Sequence, residues 1–293
     1  MPKANSSIST YLLAFPYALV FILFFLIPLV LVVVVSFWDY TEYSIIPDFI
    51  GTNYGDIFRG CVAKLPELCT AFATYVSTLK YVFLTWIITL IVGFGVAYYL
   101  AFCVSSLAVQ ITLFLLCTIP FWTSNVIRMI SWIPLLGRNG LVNSFLQKTG
   151  LTSEPIDWLL YSGFSVTLAF VHLYTLFMVV PIFNSMMRID RSVLEAAYDA
   201  GASGWQMLWN VVVPLCKPGI AIGSIFVITI VMGDFITIGV MGGQQIASIG
   251  KIINVEMSYL QFPSAAANAV ILLAITLMII VAMSRIVDIR REL

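Results

Sequence analysis

The stretch RIDRSVLEAAYDAGASGWQMLWNVVVPLCKPGI, Arg188–Ile220, decides how the rest of this 293-residue sequence is interpreted. It predicts two short helices separated by a turn. Ser192 followed by Glu195 has the spacing of a capping box, in which the serine caps the first turn and the glutamate reaches back to the serine N–H. Gly201 suits the left-handed turn that ends such a helix. The first helix is therefore expected to begin at Ser192 and to end at Gly201.

The second helix of this stretch has its own start and stop signals. Ser203 followed by Gln206 repeats the capping-box spacing. Pro214 and Pro218 end the helix and begin the apolar run that follows, because proline lacks the N–H that a helix interior needs. An ordered helix–turn–helix is more than a plain connector between two apolar runs requires.

The two helices carry many apolar side chains, which are Leu194, Tyr198, Trp205, Met207, Leu208 and Trp209. So much apolar surface calls for a partner surface. One alternative is packing against the ends of neighbouring apolar runs, which is expected for Trp209 and Val213. The other, expected for residues 194–205, is docking in a groove of a cytosolic protein.

The composition outside this stretch is that of a membrane protein. Hydrophobic residues make up 61% of the chain and charged residues 10%, against roughly 25% charged in soluble domains. A helical span needs about 20 apolar residues to cross roughly 30 Å of hydrocarbon. Six runs qualify, at 12–36, 77–103, 108–135, 162–186, 219–241 and 264–285. The predicted fold class is an all-α membrane protein with six transmembrane helices, since helices satisfy their own backbone groups in lipid.

Basic residues set the predicted orientation. With the N-terminus inside, the inner side carries Lys3, Arg188, Arg191, Lys217, Arg285, Arg290 and Arg291. The outer side carries Arg59, Lys64, Lys80, Arg138, Lys148 and Lys251, together with eight acidic residues that include Glu256. Both termini and the Arg188–Ile220 loop are then cytoplasmic. The predicted domains are 1–74 (first span and long outer loop), 75–285 (membrane domain) and 286–293 (tail).

The loop resembles the EAA motif of binding-protein-dependent ABC transporter permeases. That pattern is EAA, three residues, Gly, then a hydrophobic stretch ending in Pro, and it matches Glu195, Ala196, Ala197, Gly201 and Pro214. The resemblance implies a coupling helix that sits in a cleft of an ATPase subunit. The residues expected to make this contact are Leu194, Glu195, Ala196, Ala197, Tyr198, Asp199, Gly201, Ala202, Ser203 and Trp205.

The resemblance also implies partners in the bacterial inner membrane. These are two copies of an ATP-binding subunit, a second homologous permease, a periplasmic solute-binding protein and membrane lipid. The sequence has no GxxxxGK[ST] pattern, so the chain is expected not to be an enzyme and to bind no cofactor or metal. ATP and Mg are expected on the partner ATPase subunits. Without a basic stripe, nucleic acid is not an expected partner.

A second stretch resembles a narrower group of permeases. PFWTSNVIRMISW (Pro120–Trp132) and GRNGLVNSFL (Gly137–Leu146) are similar to the first permease of spermidine/putrescine importers. The resemblance implies inward transport of a polyamine-like solute. The same branch includes opine, aminophosphonate and iron importers, which stay open as alternatives.

Ionisable residues inside spans are functional candidates by default. Arg128 and Asp234 are expected at similar depth, where Asp234 would meet a cationic solute. The alternatives are a buried Arg128–Asp234 ion pair or an Arg128 that snorkels to the headgroups. Aromatic faces attract ammonium groups, and the candidate pathway residues are Trp122, Asn125, Arg128, Trp132, Asp234 and Tyr259.

Other features have structural explanations. Gly219 and Gly223 are expected to allow close helix packing, and His172 is expected to bond a neighbouring helix. Cys61 and Cys69 can pair if their segment faces an oxidising compartment. An ion-coupled secondary transporter is the rival of another class, but such a protein needs coupling-ion sites and leaves the EAA loop unexplained.

Overall fold

The structure is a computed structural model that describes residues 6–41, 44–59, 61 and 69–286. Lys3, Lys64, Arg290 and Arg291 of the charge count lie outside the described residues. So does the predicted tail beyond Ile286.

The described chain is mainly helical. Its helices are α1 (Ser6–Phe21), α2 (Ile27–Val35), α3 (Thr52–Ile57), α4 (Thr70–Tyr98), α5 (Leu107–Thr118), α6 (Asn125–Ile130), α7 (Ile133–Leu136), α8 (Leu141–Lys148), α9 (Gly163–Met186), α10 (Arg191–Asp199), α11 (Gly204–Met207), α12 (Val213–Leu215), α13 (Lys217–Gly233), α14 (Ile236–Met241), α15 (Ile249–Ser258) and α16 (Phe262–Ile286). Two short strands, β1 (Asp39–Tyr40) and β2 (Ile45–Ile46), form an antiparallel ladder that pairs Asp39 with Ile46 and Tyr40 with Ile45.

Four stretches of helix within the described residues are long and apolar enough to cross a membrane by themselves, namely Leu13–Val35, Thr70–Cys103, Asp157–Met186 and Phe262–Arg285. Two further pairs reach that length only if each pair counts as one span: Leu107–Trp122 with Asn125–Lys148, bent by 92°, and Gly204–Leu215 with Lys217–Gly233, bent by 67°. The fold is thus helical with four to six candidate spans.

Two of the predicted spans are broken where the sequence prediction had them continuous. The run 108–135 stops at Thr123, whose backbone is extended (φ −102°, ψ 152°) after a 3₁₀ turn that contains Pro120. The run 219–241 stops at Asp234, which is also extended (φ −79°, ψ 103°). Apolar composition continues through both breaks, so a hydropathy argument passes over them.

The chain forms two compact units. The first comprises the described residues up to Ala71 together with Ile252–Leu273, and the second comprises Phe72–Lys251 with the residues from Ala274. The predicted domains follow the spans rather than these units and stay a prediction.

The first unit contains the apolar N-terminal helices and the β1–β2 ladder. Side chains from Leu13 to Val34 are exposed, as suits a helix surrounded by hydrocarbon. After the ladder, Asn53 donates its amide N–H groups to the carbonyl oxygens of Ser36 (2.9 Å) and Trp38 (2.8 Å). Cys61 and Cys69 form a disulfide with a Cα–Cα distance of 4.7 Å, so the pairing left open by the sequence is present.

The second unit is centred on α9 and α13. Phe170, Met178 and Ile182 of α9 are fully buried. A Cβ at Gly219 would lie 2.5 Å from the carbonyl oxygen of Pro181, and one at Gly223 would lie 2.8 Å from Met178 Sδ. The prediction that these glycines allow close helix packing is confirmed, because a Cβ at Gly219 would meet backbone of α9 and one at Gly223 would also lie 3.2 Å from Met178 Cα.

Candidate functional site

The predicted coupling loop folds into two helices, α10 and α11, but its first cap is not the predicted one. Asp190 precedes α10, and its carboxylate accepts the N–H of Ser192 at 3.1 Å. The predicted Ser192–Glu195 capping box is wrong. Because Asp190 already caps the helix, the chain is helical from Arg191 and Ser192 lies inside the first turn.

The second cap is the predicted capping box. Ser203 N–H donates to Gln206 Oε1 at 2.9 Å, and Gln206 N–H donates to Ser203 Oγ at 3.3 Å. Each side chain satisfies a backbone N–H that has no partner within the helix. Residues 203–206 therefore fix where α11 starts relative to the turn.

The turn between the helices is a Schellman motif. Gly201 has φ +83°. Gly201 N–H donates to the carbonyl of Tyr198 at 2.9 Å, and Ala202 N–H donates to that of Ala197 at 3.1 Å. This pair of bonds ends a helix with a left-handed residue, as the sequence predicted for Gly201.

The helix–turn–helix presents its side chains outward. Tyr198 is 71% exposed and Trp205 is 69% exposed. Of the other predicted coupling residues, the exposed ones are Glu195, Ala196, Asp199, Gly201 and Ser203, and the half-buried ones are Leu194, Ala197 and Ala202. Trp209 contacts Trp205 edge-to-face at 5.7 Å and stays 52% exposed, so packing against span ends does not cover it. The loop leaves an ordered apolar surface on one side of the second unit.

A polar cluster surrounds the break after α13. The Asp234 carboxylate accepts the hydroxyl of Tyr174, the N–H of Thr237 at 2.9 Å and the hydroxyl of Thr237 at 2.6 Å. The bond to the Thr237 N–H caps the first turn of α14 in place of the interrupted helix. Broken backbone at membrane depth is stable only where protein surrounds it or a cavity borders it.

Arg128 lies near this cluster, bonded to Asn125, which lines the same cavity as Asp234. Its side chain is 6% exposed, so it does not snorkel. No ion pair joins Arg128 to Asp234 in the described part of the chain. Arg128 Nη2 instead donates to Asn125 Oδ1, and the guanidinium carbon lies 4.8 Å from the centre of the Phe121 ring. The third predicted span is not one straight helix at this point, because the chain bends by 92° between Trp122 and Asn125.

The structure brings some of the predicted pathway residues together and separates others. A cavity of about 260 Å³ borders the break and is lined by Asn125, Met129, Tyr174, Asp234 and Thr237, among others. Trp132 Nε1 donates to His172 Nδ1 at 3.0 Å, which confirms the bond predicted for His172. Trp122 is 78% exposed, and Tyr259, 73% exposed, belongs to the first unit.

Sequence reasoning missed Tyr174 and Thr237. Thr237 stands three residues after Asp234, which is the spacing at which an aspartate caps a helix, so that partner was open to prediction. Tyr174 is 60 residues away from Asp234 along the chain. No local sequence pattern predicts the contact between Tyr174 and Asp234, which arises only because α9 packs against α13.

Comparisons with known proteins agree with the loop resemblance. Residues 93–291 match the protein family described as "Binding-protein-dependent transport system inner membrane component". The spermidine/putrescine transport system permease protein PotB of Haemophilus influenzae is 31% identical over 239 residues, or 80% of this chain and 78% of that protein. PotB of Escherichia coli K12 is 30% identical over 226 residues, or 76% of this chain and 81% of that protein.

A solved structure shares the fold. A chain of a bacterial alginate ABC transporter, crystallised in complex with an alginate pentasaccharide-bound periplasmic protein, superposes with a TM-score of 0.73. The match covers 97% of this chain and 94% of that chain at 16% identity, which supports the fold alone. The chain belongs to the family of binding-protein-dependent transport system inner membrane components, and it is a multi-pass permease subunit of an ABC importer in the bacterial inner membrane.

Proposed function

We propose that this permease moves a small polyamine-like solute inward by alternating access, driven by ATPase subunits docked on α10 and α11. The observation that carries the coupling is the capped helix–turn–helix with Tyr198 and Trp205 exposed. Those rings offer the kind of apolar anchor that a groove in a partner protein takes. The PotB relatives support the solute class.

The proposed assembly contains two ATP-binding subunits, a second homologous permease and a periplasmic solute-binding protein. ATP and Mg belong to the ATPase subunits, and this chain hydrolyses nothing itself. Each bent helix pair counts as one span, which gives six spans with both termini in the cytoplasm. The coupling surface comprises Leu194, Glu195, Ala196, Ala197, Tyr198, Asp199, Gly201, Ala202, Ser203 and Trp205.

The proposed solute path passes the cavity beside Asp234. A carboxylate at a helix break, with a cavity against it, is an arrangement that membrane transporters use for charged solutes. Asn125 lines the same cavity, and Arg128 is held beside it. Trp122, Trp132 and Tyr259 remain candidate aromatic contacts. Opine, aminophosphonate and iron importers use the same machinery and are the alternatives for the solute.

Copurification tests the machinery. The tagged permease should bring down an ATPase and a second permease, and the reconstituted complex should hydrolyse ATP faster when a solute-loaded binding protein is added. An ion-coupled secondary transporter would bring down neither partner, and ion gradients rather than ATP would drive its uptake.

Asp234→Asn tests the solute path. Asparagine keeps an acceptor for the Thr237 N–H but removes the charge that meets a cationic solute. We expect putrescine uptake by the reconstituted complex to fall roughly tenfold or more, since each 1.36 kcal/mol of lost stabilisation is a factor of ten in rate. Asp157→Asn, at an exposed aspartate paired with Arg138, is the matched control. Unchanged uptake in Asp234→Asn removes this residue from the path.

A further inference from the structure

A second cavity lies at the opposite end of α13 from Asp234. Its volume is about 740 Å³, and its lining includes Pro181, Asn184, Arg188, Pro218, Ile222 and Phe226. It therefore borders the end of α9 and the start of α13, close to α10. No function is predicted from the sequence for the residues that line this cavity.

The two cavities share the same faces of α9 and α13. On α9, Tyr174 borders the cavity beside Asp234, while Pro181 and Asn184, together with Arg188 in the turn after the helix, border the second. These positions, with Phe177 between them, are spaced by three or four residues and so form one stripe along the helix. On α13, Ile230 borders the first cavity, and Phe226, Ile222 and Pro218 border the second at four-residue intervals.

Aromatic rings occupy the stripe between the cavities. The Phe177 ring centre lies 5.2 Å from that of Phe121, edge-to-face, and 6.3 Å from that of Phe226. Both separations fall in the range of packed aromatic pairs. Phe121, Phe177 and Phe226, here called the aromatic layer, thus join the break in the third predicted span to α9 and α13.

An aromatic layer of this kind is a barrier to a charged solute. A single ring face can attract a cation, but rings packed on one another offer no hydrogen-bond acceptor that could replace the water an ion loses on entering the layer, and polar groups without such partners are costly to bury. Hydrophobic constrictions in membrane proteins also exclude water and thereby block ions.

We propose that the aromatic layer is the gate of the solute path: it closes the cavity beside Asp234 from the cytoplasmic cavity beside α10. This inference rests on the proposed function, because it needs a path along α9 and α13. It adds the residues that close the path and the point at which the path opens to the cytoplasm.

The layer is connected to the polar cluster on two sides. Tyr174, which donates to Asp234, lies 6.2 Å from Phe177 between ring centres. Arg128 lies over Phe121, the ring that contacts Phe177. A solute that displaces the Tyr174 hydroxyl from Asp234 therefore acts on a residue that packs against the gate.

Truncating the gate tests the proposal. The complete transporter carrying Phe226→Ala or Phe177→Ala is reconstituted in liposomes without ATP, and the flux of radiolabelled sodium ion is measured. Removing the barrier is expected to raise this leak roughly tenfold or more. Phe226→Leu keeps an apolar side chain in the layer and should stay tight. Phe226 is 47% exposed, so its truncation removes little core packing.

Phe183→Ala is the matched control. Phe183 is also on α9, and its ring stacks on Phe114 at 4.9 Å, away from the stripe. Alanine variants of the layer that leak no more than Phe183→Ala, while ATP-driven uptake continues, overturn the gate. If either Phe177→Ala or Phe226→Ala does not assemble, the sodium leak of the other variant still tests the gate. If the wild-type transporter takes up no putrescine, the solute proposal is overturned. If a layer variant of the same transporter still leaks sodium, the gate is supported independently of the solute.

Discussion

Gly201 controls the coupling loop through its backbone alone. Its φ is +83° and no atom lies within 4 Å of a Cβ built there, so the obstacle to another residue is conformational strain rather than space. We expect Gly201→Asp to leave the protein inserted but to abolish transport or ATPase assembly, as measured by uptake and copurification.

Gly204→Asp is the control for this change. Gly204 also has open space around it, and an acidic residue in the first turn of α11 is favourable next to the positive end of a helix. Wild-type transport by Gly201→Asp would show that the Schellman turn does not position the coupling surface.

Glu256 makes the stability of the first unit depend on pH. Burial raises the pKa of its carboxyl group above the ordinary 4.5, and hydrogen bonds from Asn268 and Ser264 offset only part of this increase. The carboxyl group ionises at lower pH in the unfolded chain than in the folded one. Its contribution to stability is therefore fully present below about pH 4.5 and is lost as the pH rises through the folded-state pKa.

The variant Glu256→Gln should remove this pH dependence. The measurement is the thermal unfolding midpoint in detergent, taken at a series of pH values from below about 4.5 upward. The two proteins are compared by the slope of this midpoint against pH and not by its absolute value. Parallel curves for the wild type and Glu256→Gln would contradict the assignment.

At the scale of helices, the contact between α9 and α13 depends on small residues. A Cβ at Gly219 would meet the Pro181 carbonyl at 2.5 Å, and backbone cannot move away as a flexible side chain can. Gly219→Leu should therefore separate the helices and destabilise the protein by a few kcal/mol, in the upper range for overpacked cores. Gly95→Leu, where no atom lies within 4 Å, is the control, and equal thermal stability of the two variants would argue against close packing.

Helices were predictable from the sequence where apolar length alone defines them. The predicted run 162–186 agrees with α9, and 264–285 agrees with α16, because uninterrupted apolar runs of this length become helices in lipid. The breaks at Thr123 and Asp234 were not predictable in the same way. Hydropathy is insensitive to a turn made of apolar residues, and the bond that stabilises the second break comes from Tyr174, 60 residues before it.

The coupling loop shows the opposite case, since its turn and its second cap follow from spacing. Gly201 and the Ser203–Gln206 pair were predicted because their partners lie within five residues. The first cap was mistaken because two acceptors, Asp190 and Ser192, compete over the same turn. Spacing rules identify local bonds, but they do not choose between neighbouring ones.

At the scale of the whole molecule, the number of spans decides which side of the membrane the coupling loop occupies. Four spans and six spans both leave the two termini on the same side, so reporters fused to the termini do not separate them. The two counts differ at internal loops. With the N-terminus in the cytoplasm, as proposed, the loop before α9 is cytoplasmic and the loop carrying α10 and α11 is outside if neither bent pair crosses, whereas six spans reverse both positions.

Single cysteines at exposed positions in these two loops therefore distinguish the topologies. In a variant without the five native cysteines, Ser153→Cys and Ala200→Cys each introduce one exposed thiol. A membrane-impermeant maleimide added to intact spheroplasts should label the cysteine at 153 at once and the one at 200 only after lysis. The reverse pattern would place the coupling helices outside, away from any cytoplasmic ATPase, and would contradict both the six-span topology and the proposed route of energy transfer. Labelling at both positions before lysis would mean that α9, the helix between them, does not cross the membrane.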